Sequence, residues 1–286
     1  MVNLDHMKTK TLTLTKSQLQ LLEQQLQGYP RRTDVPHTLF QFKLETGHIT
    51  AYRSLKVVFS GPQALSLAQQ FIEHSTESTG SDEVGTGDYF GPMIVCAAYY
   101  HPDFDEFLKT FTLTDSKQLR DEQILQEVPL FIDKIPHSLL VLEPSKYNLV
   151  QQTTNLNAMK AQMHQKAYAH LKQKLGFLPK LNVVDQFTPK DRYYQYLRDD
   201  YGITNLTFET KAESKHTAVA LAALIARYHF LIAFMQLEKH YQFTFPKGSG
   251  ALVDVAGQQF VEKYGVDELK NVAKLHFKNT QRIIPL

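Results

Sequence analysis

Four acidic residues stand where carboxylates are awkward to keep. Asp82 and Glu83 close an apparent strand and are followed at once by Val84-Gly85-Thr86-Gly87. Asp185 ends the apolar strand Leu181-Asn182-Val183-Val184, and Glu213 lies just before a long apolar helix. A charge at the end of a buried strand or at the mouth of a helix is costly unless something neutralises it. Hard divalent cations do so through oxygen ligands, and two such ions need three or four converging carboxylates. Taken singly, each residue is equally a loop carboxylate in water, and Glu213 a contact to the helix dipole. There is also a tension. Adjacent strand residues point to opposite faces. Asp82 and Glu83 therefore serve one site only if the strand breaks at Glu83, or if Glu83 contributes partly through its main-chain oxygen.

The glycine loop excludes two common nucleotide sites. Gly85-x-Gly87 needs a third glycine at position 90 for a dinucleotide fingerprint, and that position is Phe90; no Gly-Lys-Ser/Thr follows either. A loop of this kind lets a nucleic-acid backbone lie against main-chain amides, because glycine removes the Cβ barrier. A tight turn between two strands accounts for it equally well. Lys117 beside Ser116 suits a phosphate or plain solvent. Tyr193, Tyr194 and Tyr196 read as packing rather than a base-stacking platform. His216, His229, His240 and His276 lack metal-ligand spacing. The lone Cys96 excludes an intramolecular disulfide and a cysteine zinc site, and sits in the apolar run Met93 to Ala98 as a small core residue.

The elements that must position these groups follow from periodicity. Thr11 to Leu14 alternates like a strand, and Thr15 caps a helix over about 16–27. His37 to Leu44, Ile49 to Arg53 and Leu55 to Phe59 are strands, and Ala64 to Ile72 a helix. Together they predict a small curved antiparallel sheet with helices on one face. Glu73 to Gly80 lacks apolar periodicity and reads as a linker. Beyond it the pattern is mixed: strands at Met93 to Tyr100, Ser138 to Leu142 and Leu181 to Val184, an extended Leu206 to Glu209, and helices over Leu119 to Ile132, Asn157 to Leu175 and Asp191 to Arg198. Ser214 opens the apolar helix Ala218 to Ala226. Arg227 and His229 interrupt that run short of a membrane span, so it reads as a core helix.

The 286 residues contain 43% hydrophobic residues, enough for real cores and against global disorder. Net charge is +2, but residues 1–70 carry +4 and the remainder −2. Arg31, Arg32, Lys43, Arg53 and Lys56 would give the N-terminal sheet a basic face suited to phosphate. No signal peptide is visible at the N-terminus.

The stretch Gly80-Ser81-Asp82-Glu83-Val84-Gly85-Thr86-Gly87-Asp88-Tyr89-Phe90-Gly91-Pro92 resembles the signature of ribonuclease HIII, a bacterial type 2 ribonuclease H. Five further elements resemble that family in order. They are Asp115-Ser116-Lys117, the helix start Asn155 to Ala161, Val184-Asp185, Lys211-Ala212-Glu213-Ser214 with the helix after it, and the C-terminal part, Pro246-Lys247-Gly248 with Ala273 to Phe277. The resemblance covers about residues 75–286. It implies an α/β (α+β overall) chain. Residues 1–72 form a TATA-binding-protein-like substrate-binding domain, 73–79 a linker, and 80–286 a ribonuclease-H-like mixed sheet flanked by helices. It implies that Asp82, Glu83, Asp185 and Glu213 are both catalytic and metal-binding, with Asp82 shared by two Mg²⁺ or Mn²⁺ ions. Gly85, Thr86, Gly87, Ser116 and Lys117 become substrate contacts. The implied activity is endonucleolytic hydrolysis of the RNA strand of RNA/DNA hybrids, leaving 5′-phosphate and 3′-hydroxyl ends. The implied enzyme is a cytoplasmic monomer without membrane or obligate protein partner. Two rivals remain: cleavage at single ribonucleotides in DNA, as in ribonuclease HII, and a non-catalytic nucleic-acid-binding protein. Thr86 in place of arginine and Glu213 in place of aspartate speak against the first. The four carboxylates speak against the second, since a pure binder gains nothing from acids facing phosphates.

Overall fold

The computed structural model describes residues 9–14, 16–68, 71, 77–111, 119–199 and 201–284. The chain forms two compact units, Met1–Ser75 and Thr76–Leu286.

The first unit contains β1 (Thr9–Thr13), α1 (Lys16–Gln25), β2 (Arg31–Arg32), β3 (Thr38–Leu44), β4 (Gly47–Tyr52), β5 (Lys56–Ser60) and α2 (Pro62–Ala68). Its antiparallel sheet has the order β1-β5-β4-β3-β2. Strand alternation sorts the two faces. Phe40, Phe42, Ile49, Ala51, Val57 and Phe59 bury against leucines of the α1 region and alanines of α2. The other face carries rows fixed by the register: Thr9, Ser60, His48 and Lys43 in one, and Thr11, Val58, Thr50, Gln41 and Arg32 in the next. The expected basic face is corrected at Arg31. Its guanidinium lies 5.8 Å from the rings of Phe40 and Phe42 and pairs with Glu23, on the helix side of the sheet. Thr15 and Ile72 lie outside the described residues.

The second unit contains β6 (Ser78–Val84), β7 (Met93–Tyr100), α3 (Asp105–Leu108), α4 (Asp121–Phe131), β8 (His137–Leu142), α5 (Pro144–Gln151) and α6 (Leu156–Leu175). After these come β9 (Leu181–Asp185), α7 (Lys190–Gln195), β10 (Thr207–Glu209), α8 (Thr217–Tyr241), α9 (Ala251–Tyr264), α10 (Leu269–Val272) and α11 (Lys278–Ile283). The sheet order is β10-β9-β6-β7-β8, with β9 parallel to β6 and β10, and β7 antiparallel to its neighbours. The expected linker over 73–79 runs two residues too far: Ser78 and Thr79 already pair with both β7 and β9, and Thr79 Oγ1 donates to buried Asn182 Oδ1 at 2.6 Å.

Alternation along β7 divides the core. Ile94, Cys96, Ala98 and Tyr100 pack on the α8 side, while Val95, Ala97 and Tyr99 pack on the α6 side. Asn155 caps α6 by accepting from Ala158 N, and Gly176 ends it with φ +81°. Among the described residues α8 is the one helix long and apolar enough to cross a bilayer, longer than its Ala218 to Ala226 run suggests. It carries its interruption as a surface pair, Arg227 with Asp121, and its apolar side chains line the core.

Gly80 explains how closely α8 lies on the sheet. A Cβ there would meet Val219 N at 2.3 Å and the Ala218 carbonyl carbon at 2.5 Å. Only glycine lets the first turn of α8 rest on β6, and that turn follows directly on Glu213.

Candidate active site

The strand does not break at Glu83. β6 continues to Val84, with Asp82 opposite Cys96 and Glu83 opposite Val95. Asp82 therefore leaves the sheet on the α8 side and Glu83 on the α6 side. Ser81 lies opposite Val184 on parallel β9, so Asp82 and Asp185, one residue further along each strand, emerge side by side. Asp185 Oδ1 accepts from Ala212 N at 2.9 Å, which fastens the end of β9 to the 3₁₀ turn Ala212–Ser214 that holds Glu213. Glu213 is only 9% exposed. Three of the four expected carboxylates thus converge where β6, β9 and the approach to α8 meet.

The electrostatics record that convergence. Burial, then the charges of Glu83 and Asp185 and more weakly Glu213, hold the Asp82 carboxyl well above the ordinary carboxylate range. The hydrogen bond it accepts from Glu83 N, 2.7 Å long, opposes this without cancelling it.

Glu83 has a different setting. Lys160 Nζ pairs with its Oε1, and His164 Nε2 donates to its Oε2 at 2.9 Å. His164 Nδ1 in turn meets Ser81 Oγ at 2.7 Å. Burial pushes the Glu83 carboxyl up, but the hydrogen bond and charge of His164 and the charge of Lys160 outweigh it and leave the group below its ordinary range. Sequence reasoning missed Lys160 and His164. The available signal was their i, i+4 spacing on a helix whose neighbouring positions Ala161, Ala167 and Tyr168 are apolar.

The donor set of Asp82, Glu83, Asp185 and Glu213 is all oxygen, and Asp82 carries an unrelieved excess of like charge around it. Both fit a hard divalent cation. Among the described residues no three His, Cys, Asp or Glu side chains stand ready as a metal cage. Glu83 is drawn toward α6, and Asp185 toward Ala212.

The loop after these carboxylates is held from the C-terminal end of the chain. Gly85 has φ +84°, and a Cβ there would meet Pro92 O at 2.2 Å, so its glycine serves the turn itself. Gly87 is exposed, and a Cβ there would meet nothing within 4 Å. Gly248 O accepts from Tyr89 N, and Gly248 N donates to Asp88 Oδ1 at 2.6 Å. The wholly buried Lys274 takes three successive carbonyls: its N donates to Tyr89 O, and its Nζ to Phe90 O at 3.3 Å and Gly91 O at 2.6 Å. Burial pushes the Lys274 ammonium down to about 7, against the charges of Asp88 and Glu143.

Ser116 and Lys117 lie outside the described residues. The tyrosine cluster is packing: Tyr193 is buried with its ring 4.8 Å from that of Phe208, and Tyr194 Oη donates to Thr204 O. His276 stacks on Tyr147.

The sequence model of the Ribonuclease HII family matches residues 79–280, and that of a domain of unknown function, DUF3378, matches residues 9–83. A curated ribonuclease HIII of Lactococcus lactis subsp. lactis (strain IL1403) is 38% identical over 285 residues, covering 96% of this chain and 98% of the relative. The chain belongs to the ribonuclease HIII family. A second ribonuclease HIII, from Enterococcus faecalis, is 40% identical over 271 residues, covering 87% of this chain and 89% of its own length. The crystal structure of Bst-RNase HIII in complex with Mn²⁺ superposes with a TM-score of 0.74 at 33% identity, covering 96% of this chain and 98% of that one. The fold is the mixed α/β arrangement of ribonucleases HIII, and the enzyme class is endoribonuclease.

Proposed function

We propose that this chain hydrolyses the RNA strand of RNA/DNA hybrids internally, at the carboxylate group of Asp82, Asp185, Glu213 and Glu83. The observation that carries the reading is the convergence of Asp82, Asp185 and Glu213, with the Asp82 carboxyl held high by its neighbours. Those four residues would hold the ions, with Asp82 shared and Glu83 contributing through its main-chain oxygen, since its side chain lies on the other face of the strand. Two divalent ions, Mg²⁺ or Mn²⁺, supply an activated water and a stabilised leaving oxygen when bound. The bond broken is P–O3′, so the products end in 5′-phosphate and 3′-hydroxyl.

The chain's own residues orient the substrate. Gly85, Thr86 and Gly87 follow directly on the ion-binding pair. Main-chain amides and carbonyls there read 2′-hydroxyls, which DNA lacks, and the open space over Gly87 admits the backbone. Lys274 fixes the carbonyls on the far side of that loop. Thr86 is too short to reach across a junction, so several consecutive ribonucleotides are needed. Ser116 and Lys117 are assigned phosphate contacts. The open face of the N-terminal sheet, with Lys43, His48, Gln41 and the hydroxyls of Thr9 and Thr11, lies along the hybrid backbone. The enzyme acts as a monomer in the cytoplasm, with α8 buried in its own core.

The direct test is cleavage of a uniform RNA/DNA hybrid beside a duplex with one embedded ribonucleotide, each with Mg²⁺, Mn²⁺ or chelator. The expected result is rapid, ion-dependent cutting of the hybrid and poor cutting of the single site; equal rates overturn the recognition scheme, and no cutting overturns the activity. Gly87→Val should raise KM for hybrid while leaving Mn²⁺ affinity unchanged, since the added side chain meets solvent and substrate only. A chain beginning at Thr76 should bind hybrid more weakly, with a shallower dependence of log affinity on log salt.

A further inference from the structure

A fifth acid, Glu209, stands in line with the carboxylates. It is the register partner of Asp185 on β10. Val184 and Phe208, one position earlier on each strand, pack with Tyr168 of α6. Strand alternation therefore sends Asp185 and Glu209 to the opposite face, toward α8. Asp82 emerges beside Asp185 on that face, so Asp82, Asp185 and Glu209 form one row across three strands. Glu209 is occupied differently from the other two. Its Oε2 accepts from Lys215 Nζ at 3.2 Å, and its Oε1 from His216 Nε2 at 3.1 Å. Burial pushes the carboxyl up, but these two hydrogen bonds outweigh it and keep the group below its ordinary range.

Lys215 and His216 are the two residues between the turn Ala212–Ser214 and α8. The main-chain N–H groups of both donate to Ala212 O. The turn begins at Lys211 with φ +54°, a left-handed backbone that is unfavourable for a residue with a Cβ. Such a turn keeps its shape only if it is held from outside. One hold is the bond from Ala212 N to Asp185 Oδ1, which draws on an oxygen of an ion-binding carboxylate. Glu209 supplies a second hold that draws on none. Its own place is fixed by Gln186 N, which donates to Glu209 O at 2.8 Å. We propose that Glu209 is a positioning residue for Glu213: from the end of β10 it grips Lys215 and His216, and so sets where the turn carries Glu213 relative to Asp82 and Asp185. Glu209 itself touches neither ion nor substrate. The inference rests on the reading of Asp82, Asp185 and Glu213 as the ion-holding carboxylates.

Two other accounts exist: Glu209 only supports the fold, or Glu209 is itself an ion ligand. Mn²⁺ alone, titrated calorimetrically into the full chain, and the kinetics of hybrid cleavage separate them. In Glu209→Ala, Mn²⁺ affinity should fall about 10–100-fold, the range for partners that orient metal ligands. The kcat should fall with it, while KM for hybrid stays. His216→Ala leaves the Glu209 carboxylate in place and releases one of its holds, so it should weaken Mn²⁺ binding too. The double variant should lose no more than Glu209→Ala alone, because both residues act through one clamp. If Glu209 only supports the fold, Tm drops while Mn²⁺ affinity and kcat well below Tm match wild type, and the proposal is overturned. If Glu209 is an ion ligand, His216→Ala binds Mn²⁺ as tightly as wild type or more tightly, which overturns it as well. Glu209→Gln, whose amide oxygen still accepts from one partner, carries the same comparison should the alanine variant not fold. Asp82→Asn separates the two levels. If it binds Mn²⁺ as wild type does, the ion-site reading falls and the inference with it. If it loses Mn²⁺ while Glu209→Ala binds as wild type does, the inference about Glu209 alone falls.

Discussion

Asp82 and Glu83 are neighbours in sequence and opposites in surroundings. Asp82 looks toward α8, among carboxylates, and its proton is held tightly; Glu83 looks toward α6, between a lysine and a histidine, and its proton is released easily. The pleat of a single strand produces this split. The comparison teaches that a pair of acids in a motif need not be two copies of one ligand. One side of β6 gathers carboxylates whose charges raise the Asp82 pKa, and the other side already holds a cation, Lys160, against Glu83.

The largest expected effect comes from removing charge on the crowded side. Asp82→Asn or Asp185→Asn should cut hybrid hydrolysis by orders of magnitude, since each would delete a charged ligand of the proposed ion site. Circular dichroism should show the fold intact. Near-normal turnover in either variant at saturating Mg²⁺ would remove the Asp82 side from the chemistry. The same chemical change on the other side should act on stability. Asp82→Asn relieves repulsion and should raise Tm in chelating buffer. Glu83→Gln strips Lys160 of its counter-ion and should lower Tm, with a loss of stability of up to about 3–5 kcal/mol on the scale of broken buried pairs.

A more selective disturbance is Gly80→Ala. Its methyl would strike the first turn of α8 and shift Glu213 relative to Asp82, while the Glu83 pairs on the opposite face stay in place. Overpacking of this kind costs about 1–3 kcal/mol. Hybrid turnover should fall more than Tm implies, and unchanged turnover would show that the seat of α8 does not set the site.

The smallest effect is in the pH dependence of stability without ions. A raised folded pKa at Asp82 contributes stability that is present below the ordinary value of 3.8 and lost as pH rises through the folded value. A lowered folded pKa at Glu83 contributes stability that is present above 4.5 and lost as pH falls through the folded value. The Tm of wild type relative to Asp82→Asn should therefore fall with rising pH, and relative to Glu83→Gln it should rise. Parallel curves would erase the distinction between the two sides.

Much of this was legible in the residues. The apolar run before Asp185 and the long helix after Glu213 mark their own strand and helix, because a buried element needs continuous apolar residues. The conflict between Asp82 and Glu83 was legible too, as a consequence of the pleat. Its resolution was not. Lys160 and His164 lie about eighty residues further along the chain, and nothing local ties them to β6. Arg31 likewise reads as part of the basic face in sequence, because nothing there tells which side of the sheet its exposed guanidinium takes. Leu206 to Glu209 reads as extended and forms β10, but so short a segment does not show that its partner is β9. Helix α9 escaped because its exposed Leu252 and Val255 blur the apolar stripe beside Val253, Ala256 and Phe260.

The carbonyls of Phe90 and Gly91 wait for a partner 184 and 183 positions later in the chain. On a ribosome, the sheet and both of its covering helices can assemble while residues 272–274 are still unmade. The glycine loop beside the carboxylates cannot reach its final shape until Lys274 has been added. Contacts of such long range close late. A nascent or trimmed chain lacking residues 272–274 would therefore have a formed body and an unset loop, and the capacity to cut nucleic acid would arrive only once those residues are in place.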